Sequence, residues 1–171
     1  MTPDKVSIIV PAAGRSERFG TRDKLVMAWG DTTVLGAVLA EAERAGAREV
    51  ITVGPELNPE GPMEASIAEG VRRAHRDAGG FLVWPGDMPL ITAEAAVNVM
   101  ESGDEHCAVR PRFNGIPGHP VFFGSAFREK LERLSEPARI LLKEVIWLNW
   151  TDDSVIADID TTDDYRRLRH A

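Results

Sequence analysis

Residues 6–10 (Val-Ser-Ile-Ile-Val) are a short, β-branched apolar run that is followed at once by a turn of very small residues. An uninterrupted apolar run of this length is typical of a strand that is buried on both faces, as in a parallel sheet. After it, Ala12, Ala13 and Gly14 allow the backbone to approach a ligand closely, and their N–H groups can face anionic oxygens. The sequence therefore predicts a buried strand that ends in an anion-binding turn.

The segment after this turn is basic, although the chain as a whole is acidic. The formal net charge of the chain is −7, but within residues 15–24 four cations oppose two acids: Arg15, Arg18, Arg22 and Lys24 against Glu17 and Asp23. Ligands of open α/β sheets bind at the carboxyl ends of strands, which is where this turn falls. We therefore favour a loop that binds a polyphosphate over a plain glycine turn with solvated cations. The turn lacks the Gly-Lys-Ser/Thr ending of a Walker loop and the glycine spacing of a dinucleotide-binding fingerprint, so hydride transfer is not indicated.

Composition limits the class of protein. A length of 171 residues with 43% hydrophobic content predicts one globular domain with a real core. We find no stretch of about 18 apolar residues and no signal-peptide pattern, so we expect a cytoplasmic protein with no membrane partner. The single Cys107 excludes an internal disulfide framework. With 27 acidic and 20 basic side chains, the sequence predicts a small anion as partner rather than a nucleic acid.

Apolar runs alternate with helical patterns along the chain. This alternation predicts a three-layer, Rossmann-like α/β fold, with a mostly parallel sheet flanked by helices. Strands are expected at residues 6–10, 50–53, 81–84 and 107–109. A first helix is expected from Val34 until Gly46 stops the pattern, and a second over about residues 63–75. A third should begin at a Thr92 cap and end at about Met100, and a fourth should begin at a Ser125 cap and carry Phe127, Leu131 and Leu134. A last helix should start at residues 161–164.

Acidic residues follow two of the predicted elements. Asp87 comes just after the strand at residues 81–84, so we expect its carboxylate at the same sheet edge as the anion-binding turn. Mg²⁺ takes oxygen ligands and usually needs only one or two carboxylates plus substrate phosphates. On the residue alone, a turn-forming aspartate between two prolines is an equal interpretation. Near the carboxyl end, Asp158 and Asp160 flank Ile159. If this is a strand end, we expect them to project to opposite faces, so that at most one of them reaches a metal.

Residues 115–120 (Gly-Ile-Pro-Gly-His-Pro) are rich in turn formers and lead into an apolar run. Such a loop can deliver His119 to the mouth of a pocket. A lone histidine is more often a structural hydrogen-bonding residue than a catalyst, and we do not assign His119 a catalytic role.

Four motifs in this sequence resemble those of the MobA-like nucleotidyltransferases. Residues 12–24 are similar to the opening motif of that family, Ala-Ala-Gly-x-Ser-x-Arg-Met-Gly followed by Lys. The others are residues 85–91 (Pro-Gly-Asp-Met-Pro-Leu-Ile), 118–121 (Gly-His-Pro-Val) and 158–165 (Asp-Ile-Asp-Thr-Thr-Asp-Asp-Tyr). They occur in family order and span nearly the whole chain. Among family members, they look most like the molybdenum cofactor cytidylyltransferases.

The resemblance implies a role for each matching residue. It implies a nucleotide-binding set, Ala12, Ala13, Gly14, Arg15, Ser16, Lys24, Ser66 and Gly86. Arg18, Lys24 and Asp87 would be catalytic, Asp87 and Asp160 would hold Mg²⁺ (Asp160 in preference to Asp158), and Gly118 and His119 would shape the acceptor site. Ser66 would bond the base or ribose, although a helix-start serine is an equal interpretation.

The reaction implied is transfer of a nucleotidyl group, CMP from CTP, to a phosphorylated acceptor, molybdopterin, with release of pyrophosphate. The three-residue gap between Gly20 and Lys24 looks instead like the guanylyltransferase branch of the family. Residues 134–139 keep only Ala138 and Arg139 of the family motif Gly-Asp-x-Gly-Ala-Arg. The alternatives are therefore an acceptor such as a sugar or alcohol phosphate, or a noncatalytic nucleotide-sensing module.

Overall fold

A computed structural model describes residues 1–13, 23–58 and 62–169 of the chain. The strands are β1 (Val6–Pro11), β2 (Ala28–Trp29), β3 (Thr32–Thr33), β4 (Glu49–Val53), β5 (Gly80–Val83), β6 (Ala108–Phe113), β7 (Ile116–Pro117), β8 (Val121–Gly124) and β9 (Val145–Asn149). The α-helices are α1 (Val34–Arg44), α2 (Met63–Arg73), α3 (Ala93–Glu101), α4 (Arg128–Glu132) and α5 (Thr162–Leu168).

Strand β1 lies inside a seven-stranded, mostly parallel sheet. The order is β4-β1-β5-β8-β6, and both β7 and β9 also pair with β6. β1 runs parallel to β4 and β5, whereas β8 runs antiparallel to both β5 and β6. The sheet that the apolar runs predict is thus confirmed, with two reversed strands, β8 inside it and β7 at its edge. A short hairpin of β2 and β3 forms a separate sheet.

The alternation of side chains along β1 builds two cores. Ile8 and Val10 pack with α1 and α3 on one face of the sheet, and Ile9 packs with α2 and α4 on the other. All three side chains are fully buried. Because successive residues of a strand face opposite sides, an unbroken apolar run gives a sheet that is covered on both faces. The predicted three-layer, Rossmann-like α/β architecture is confirmed.

Side-chain caps fix the starts of three helices. Thr33 accepts from the Gly36 N–H and Thr92 from the Ala95 N–H, which confirms the Thr92 cap. Thr161 and Asp164 form a reciprocal capping box at α5, so the predicted helix start is also confirmed.

The predicted Ser125 cap is wrong. Ser125 lies within a short 3-10 helix (Ser125–Phe127), and no side-chain cap is made there. The following α4 ends at Glu132, so Leu134 lies beyond the helix, although its side chain is still buried in the core. Arg133 leaves helical geometry, so α4 is barely more than one turn long.

In the part of the chain that the structure describes, no helix has the length and apolar character needed to cross a membrane.

The Phe122 ring is fully buried in the core on the face of the sheet that α1 and α3 cover, so a substitution at Phe122 tests this core. We expect Phe122→Ala to lower the free energy of unfolding by about 3–5 kcal/mol, because burial is lost and a cavity remains. Urea denaturation measures this change. Ile116→Ala, at a side chain that is 53% exposed, should cost no more than about 0.5 kcal/mol, and an equal cost at both sites would contradict the core assignment.

Candidate functional site

Lys24 joins two acidic segments at the carboxyl edge of the parallel strands. Its Nζ lies 2.7 Å from Asp87 Oδ2 and 3.2 Å from Asp160 Oδ1. The Lys24 and Asp87 side chains are 15% and 19% exposed, whereas Asp160 is 44% exposed. Three residues that lie far apart in the sequence therefore form one half-buried ionic cluster, which we call the lysine bridge.

Backbone contacts set the position of each member of the lysine bridge. Lys24 begins a 3-10 helix (Lys24–Val26) that Asp23 caps and buried Leu25 anchors. The Trp84 and Gly86 N–H groups donate to Ile9 and Pro11, so the segment that carries Asp87 continues the pairing of β5 with β1. The Ile159 N–H donates to the carbonyl of Asp87 at 3.1 Å, which brings the Asp160 segment alongside.

The charge of Lys24 is stabilised within the cluster. Burial alone would lower the pKa of Lys24, but the Asp87 charge and the hydrogen bonds to Asp87 and Asp160 outweigh it, so the pKa is raised above its usual value. Lys24 is therefore an ammonium at neutral pH, and its charge offsets the repulsion between the two carboxylates.

Asp158 lies at the same site. Partial burial, followed by repulsion from Asp160 and Asp87, raises the pKa of its carboxyl group. The expectation that Asp158 and Asp160 project to opposite faces is wrong, because both line one cavity and residues two apart along an extended chain face the same side. The preference for Asp160 as the metal ligand stays a prediction, and the contact of Asp160 with Lys24 supports it.

A cavity of about 220 Å³, the lysine cavity, opens beside the lysine bridge. Among the residues that line it are Ala12, Lys24, Met63, Ser66, Asp87 and Asp160. Ser66 is buried in the first turn of α2 and accepts a hydrogen bond from Asn58 Nδ2 at 2.9 Å. Pro62 and not Ser66 precedes the helix, so Ser66 does not cap it.

The small residues after β1 pack closely at this edge. Ala12 and Ala13 are both buried, and the Ala12 N–H donates to the carbonyl of Val53 at 2.9 Å. That N–H therefore continues the β1–β4 pairing and is not the one that would face an anion. At Gly86, an added Cβ would lie 3.0 Å from the Pro11 oxygen, so a larger residue would displace the turn. Four predicted site residues lie outside the described residues: Gly14, Arg15, Ser16 and Arg18.

The loop that carries Gly118 and His119 is held from several sides. The Gly118 N–H donates to the Pro111 carbonyl at 2.8 Å, and the His119 N–H to the Val155 carbonyl at 2.7 Å. A Cβ on Gly118 would lie 2.4 Å from the Val155 oxygen, so only glycine fits there. This loop precedes the reversed strand β8, and its residues reach the same sheet edge as Asp87 because Val121 pairs with Val83.

Arg110 and His119 are neighbours at this loop. Arg110 Nε donates to the Gly118 carbonyl at 2.8 Å. Burial, and then the positive charge of Arg110, lowers the pKa of His119 from 6.5 to about 4. The His119 ring is therefore neutral at pH 7, and its buried Nδ1 has no hydrogen-bond partner within the described part of the chain. Sequence reasoning missed Arg110, because β6 carries two arginines, Arg110 and Arg112, and nothing in their local pattern shows which of them reaches the site.

Two further cavities continue from the lysine cavity. The acidic cavity, about 290 Å³, is lined by the three aspartates and by Arg110, Gly118 and His119. The apolar cavity, about 200 Å³, also contains Arg110 and His119, but its walls are largely apolar: Ile67, Val83, Val121, Phe123 and Leu142. Met63 lines all three cavities. The three cavities therefore form one row. Asp87 and Asp160 line both the lysine cavity and the acidic cavity.

The carboxylates of the lysine bridge fit a hard divalent cation. Asp87 and Asp160 already converge on one positively charged nitrogen. Within residues 1–13, 23–58 and 62–169, no group of three or more His, Cys, Asp or Glu suited to a metal is found. A cation here would accordingly take its other ligands from water and substrate phosphates, as Mg²⁺ commonly does.

The fold and this site together define a nucleotidyltransferase of the α/β class. Residues 8–147 match the MobA-like NTP transferase domain, and the chain belongs to that family. The family resemblance that the motifs indicate is thereby confirmed.

Individual relatives agree with this assignment. The molybdenum cofactor cytidylyltransferase of Escherichia coli K12 is 24% identical, over 94% of this chain and 93% of its own length. The crystal structure of Rv0371c from Mycobacterium tuberculosis H37Rv is 27% identical, with a TM-score of 0.85 over 99% of this chain and all of that one. A manganese complex of Rv0371c superposes with a TM-score of 0.80, at 27% identity, over 97% of this chain and 98% of that chain.

The lowered pKa of His119 gives a test of the site in solution. Below pH 6.5 the unfolded chain binds a proton at this residue that the folded protein does not bind until about pH 4, so stability is lost as the pH falls. His119→Asn should remove this part of the pH dependence. The free energy of unfolding of the wild type should therefore fall relative to the variant by on the order of 1–2 kcal/mol between pH 7 and pH 5.

Urea titrations of both proteins at the two pH values measure the difference. His106→Asn, at an exposed histidine, controls for the loss of an imidazole. Parallel pH curves for the wild type and His119→Asn would contradict a neutral, buried His119.

Proposed function

We propose that this protein transfers the cytidylyl group of CTP to a phosphorylated small-molecule acceptor, with molybdopterin favoured, and releases pyrophosphate. The observation that carries the proposal is the lysine bridge, in which Lys24, Asp87 and Asp160 meet beside the small-residue turn after β1. The name of the Escherichia coli relative supports CTP and the molybdenum cofactor as substrates.

The nucleotide would lie in the lysine cavity. Ala12 presents a small side chain on one wall, and Ser66 offers a hydroxyl on another. The Lys24 side chain would exchange its contacts with the aspartates for contacts with the triphosphate. Its positive charge would then offset the negative charge of the departing pyrophosphate. Gly14, Arg15, Ser16 and Arg18 belong to the proposed phosphate-binding loop through the sequence motif alone.

In the proposed reaction, an ionised phosphate oxygen of the acceptor attacks the α-phosphorus of CTP in line. A P–O bond forms to the acceptor, and the P–O bond to the β-phosphate bridging oxygen breaks, so that pyrophosphate leaves with the electron pair. No general base is needed, because the attacking oxygen already carries its charge. The protein contributes mainly by positioning the reactants and stabilising negative charge.

Asp87 and Asp160 are the residues that would hold a divalent cation, for which we propose Mg²⁺. When bound, the cation supplies charge neutralisation at phosphate oxygens. The two carboxylates would orient that charge towards the phosphates, and Asp158 would remain close enough to add negative charge to the site.

Thermal unfolding with Mg²⁺ and each of CTP, GTP, ATP and UTP tests the nucleotide assignment. A ligand present at about 100 times its dissociation constant adds roughly 2.7 kcal/mol to stability. We expect a metal-dependent shift that is largest with CTP. A shift selective for GTP would contradict the choice of base, and no shift with any nucleotide would contradict nucleotide binding.

Pyrophosphate release with molybdopterin then tests the acceptor. Release with a sugar or alcohol phosphate, and none with molybdopterin, would replace the acceptor while keeping the reaction. CTP binding without pyrophosphate release from any acceptor would leave a noncatalytic nucleotide-sensing module.

Substitutions in the lysine bridge test the proposed chemistry. We expect Lys24→Ala and Asp87→Asn each to lower turnover by on the order of 10²-fold or more, because each removes charge that acts on the phosphates. Steady-state pyrophosphate release measures turnover, and circular dichroism checks that the variants are folded. Lys143→Ala and Asp77→Asn are matched changes at exposed residues and should keep wild-type turnover. Near-normal turnover in Lys24→Ala or Asp87→Asn would contradict the proposed mechanism.

A further inference from the structure

Arg110 occupies the boundary between the acidic and apolar cavities, and the proposed mechanism leaves it without a role. It lies on β6 and is half-buried. Within the described part of the chain, the one hydrogen bond found for its side chain is from Nε to the Gly118 carbonyl. The terminal guanidinium nitrogens therefore remain available to a ligand, and burial lowers the pKa of Arg110 without any carboxylate acting on it.

The charge distribution of the row of cavities makes a cation at this boundary significant. Asp87, Asp158 and Asp160 line the acidic cavity, and Lys24 already contacts two of them. A phosphorylated acceptor that approaches these carboxylates is repelled unless a cation accompanies it. Among the described residues that line the acidic cavity, Arg110 is the one arginine or lysine.

The apolar cavity beyond Arg110 restricts the rest of the acceptor. Val83, Val121 and Phe123 come from adjacent strands and form its floor, and Ile67 and Leu142 add to the walls. Arg110 and His119 line its boundary with the acidic cavity, and among the described residues the buried Nδ1 of His119 has no hydrogen-bond partner. Glu64 and Arg139 are the other charged residues that line the apolar cavity. A flat, apolar body suits the floor formed by Val83, Val121 and Phe123, because hydroxyl groups that face these three side chains find no hydrogen-bond partner on them.

We propose that Arg110 binds the ionised phosphate of the acceptor, and that the apolar cavity holds a flat, largely apolar body attached to it. This proposal rests on the proposed function and narrows its substrate class to aromatic or heteroaromatic monophosphates, in preference to sugar phosphates. His119 lines both cavities and would lie at the junction of the phosphate and the body. Arg110 is thus a specificity-determining residue for the acceptor.

Binding of two simple phosphates tests this assignment without turnover. Phenyl phosphate and ribose 5-phosphate carry the same charged group on an apolar ring and on a hydroxylated body. Isothermal titration of the wild-type protein should show phenyl phosphate binding about 10-fold or more tightly, because the site leaves hydroxyl groups unpaired. Equal affinities, or tighter binding of ribose 5-phosphate, would overturn the proposed apolar subsite.

Arg110→Met removes the charge and keeps much of the side-chain volume. It should weaken phenyl phosphate binding by about 10-fold or more, since a charge-assisted hydrogen bond to phosphate is lost. The matched control is Arg112→Met, on the same strand, because Arg112 bonds Asn149 and lies over the Trp147 ring away from the cavities. Wild-type affinity in Arg110→Met, or an equal loss in both variants, would overturn the role of Arg110.

Leu142→Ser tests the apolar wall separately from the charge of Arg110, because it makes the wall more polar and leaves Arg110 in place. It should reduce the preference for phenyl phosphate over ribose 5-phosphate and leave ribose 5-phosphate affinity unchanged. An unchanged preference would contradict the apolar cavity as the body-binding subsite.

Stabilisation by CTP and Mg²⁺ is measured on the same variants. If Arg110→Met keeps both the CTP shift and the wild-type phenyl phosphate affinity, this inference fails and the proposed function stands. If wild-type protein shows no shift with any nucleotide, the proposed function fails, whatever the two phosphates do.

Discussion

The contact of one lysine ammonium with two aspartates determines how this sheet edge is assembled. Asp87 and Asp160 carry like charges, and Asp158 adds a third to the same cavity, so the segments that bear them would repel one another without a cation. Lys24 offsets that repulsion, and the Ile159–Asp87 backbone bond ties two of the segments directly. The relative positions of the walls of the lysine cavity and the acidic cavity depend on this contact.

Two substrates can meet over this bridge because the cavities form a row. Asp87 and Asp160 line both the lysine cavity and the acidic cavity, so the pair belongs to both halves of the site. Arg110 and His119 in turn belong to the acidic and apolar cavities. An acceptor phosphate and a nucleotide α-phosphate would thus approach the same carboxylates from opposite ends. Such an arrangement suits a displacement in line, in which the attacking and departing oxygens lie on opposite sides of phosphorus.

The sequence predicts those features that local pattern determines. The apolar run at residues 6–10 indicates a strand with two buried faces, and Thr92 and Thr161 mark helix starts because their side chains accept from nearby N–H groups. The sequence does not predict features that depend on long-range strand pairing. The run at residues 121–123 does not reveal that β8 is reversed, and exposed Ile146 and Trp147 hide β9. Arg110 enters the site only because β6 pairs with β8, which no local spacing encodes.

The reversed strand β8 has a consequence for how acceptor choice can diverge within the family. Ala12 and Asp87 follow the ends of the parallel strands β1 and β5, whereas Gly118 and His119 precede the start of the antiparallel strand β8. Their loop is thus joined to the β6–β7 hairpin and is covalently remote from the segments that carry Lys24 and Asp87. Residues 114–117 of that hairpin are exposed and can vary, whereas Gly118 is fixed by its contact with Val155. Under the proposed function, changes in this hairpin would alter the acceptor side and leave the segments of Lys24 and Asp87 unchanged.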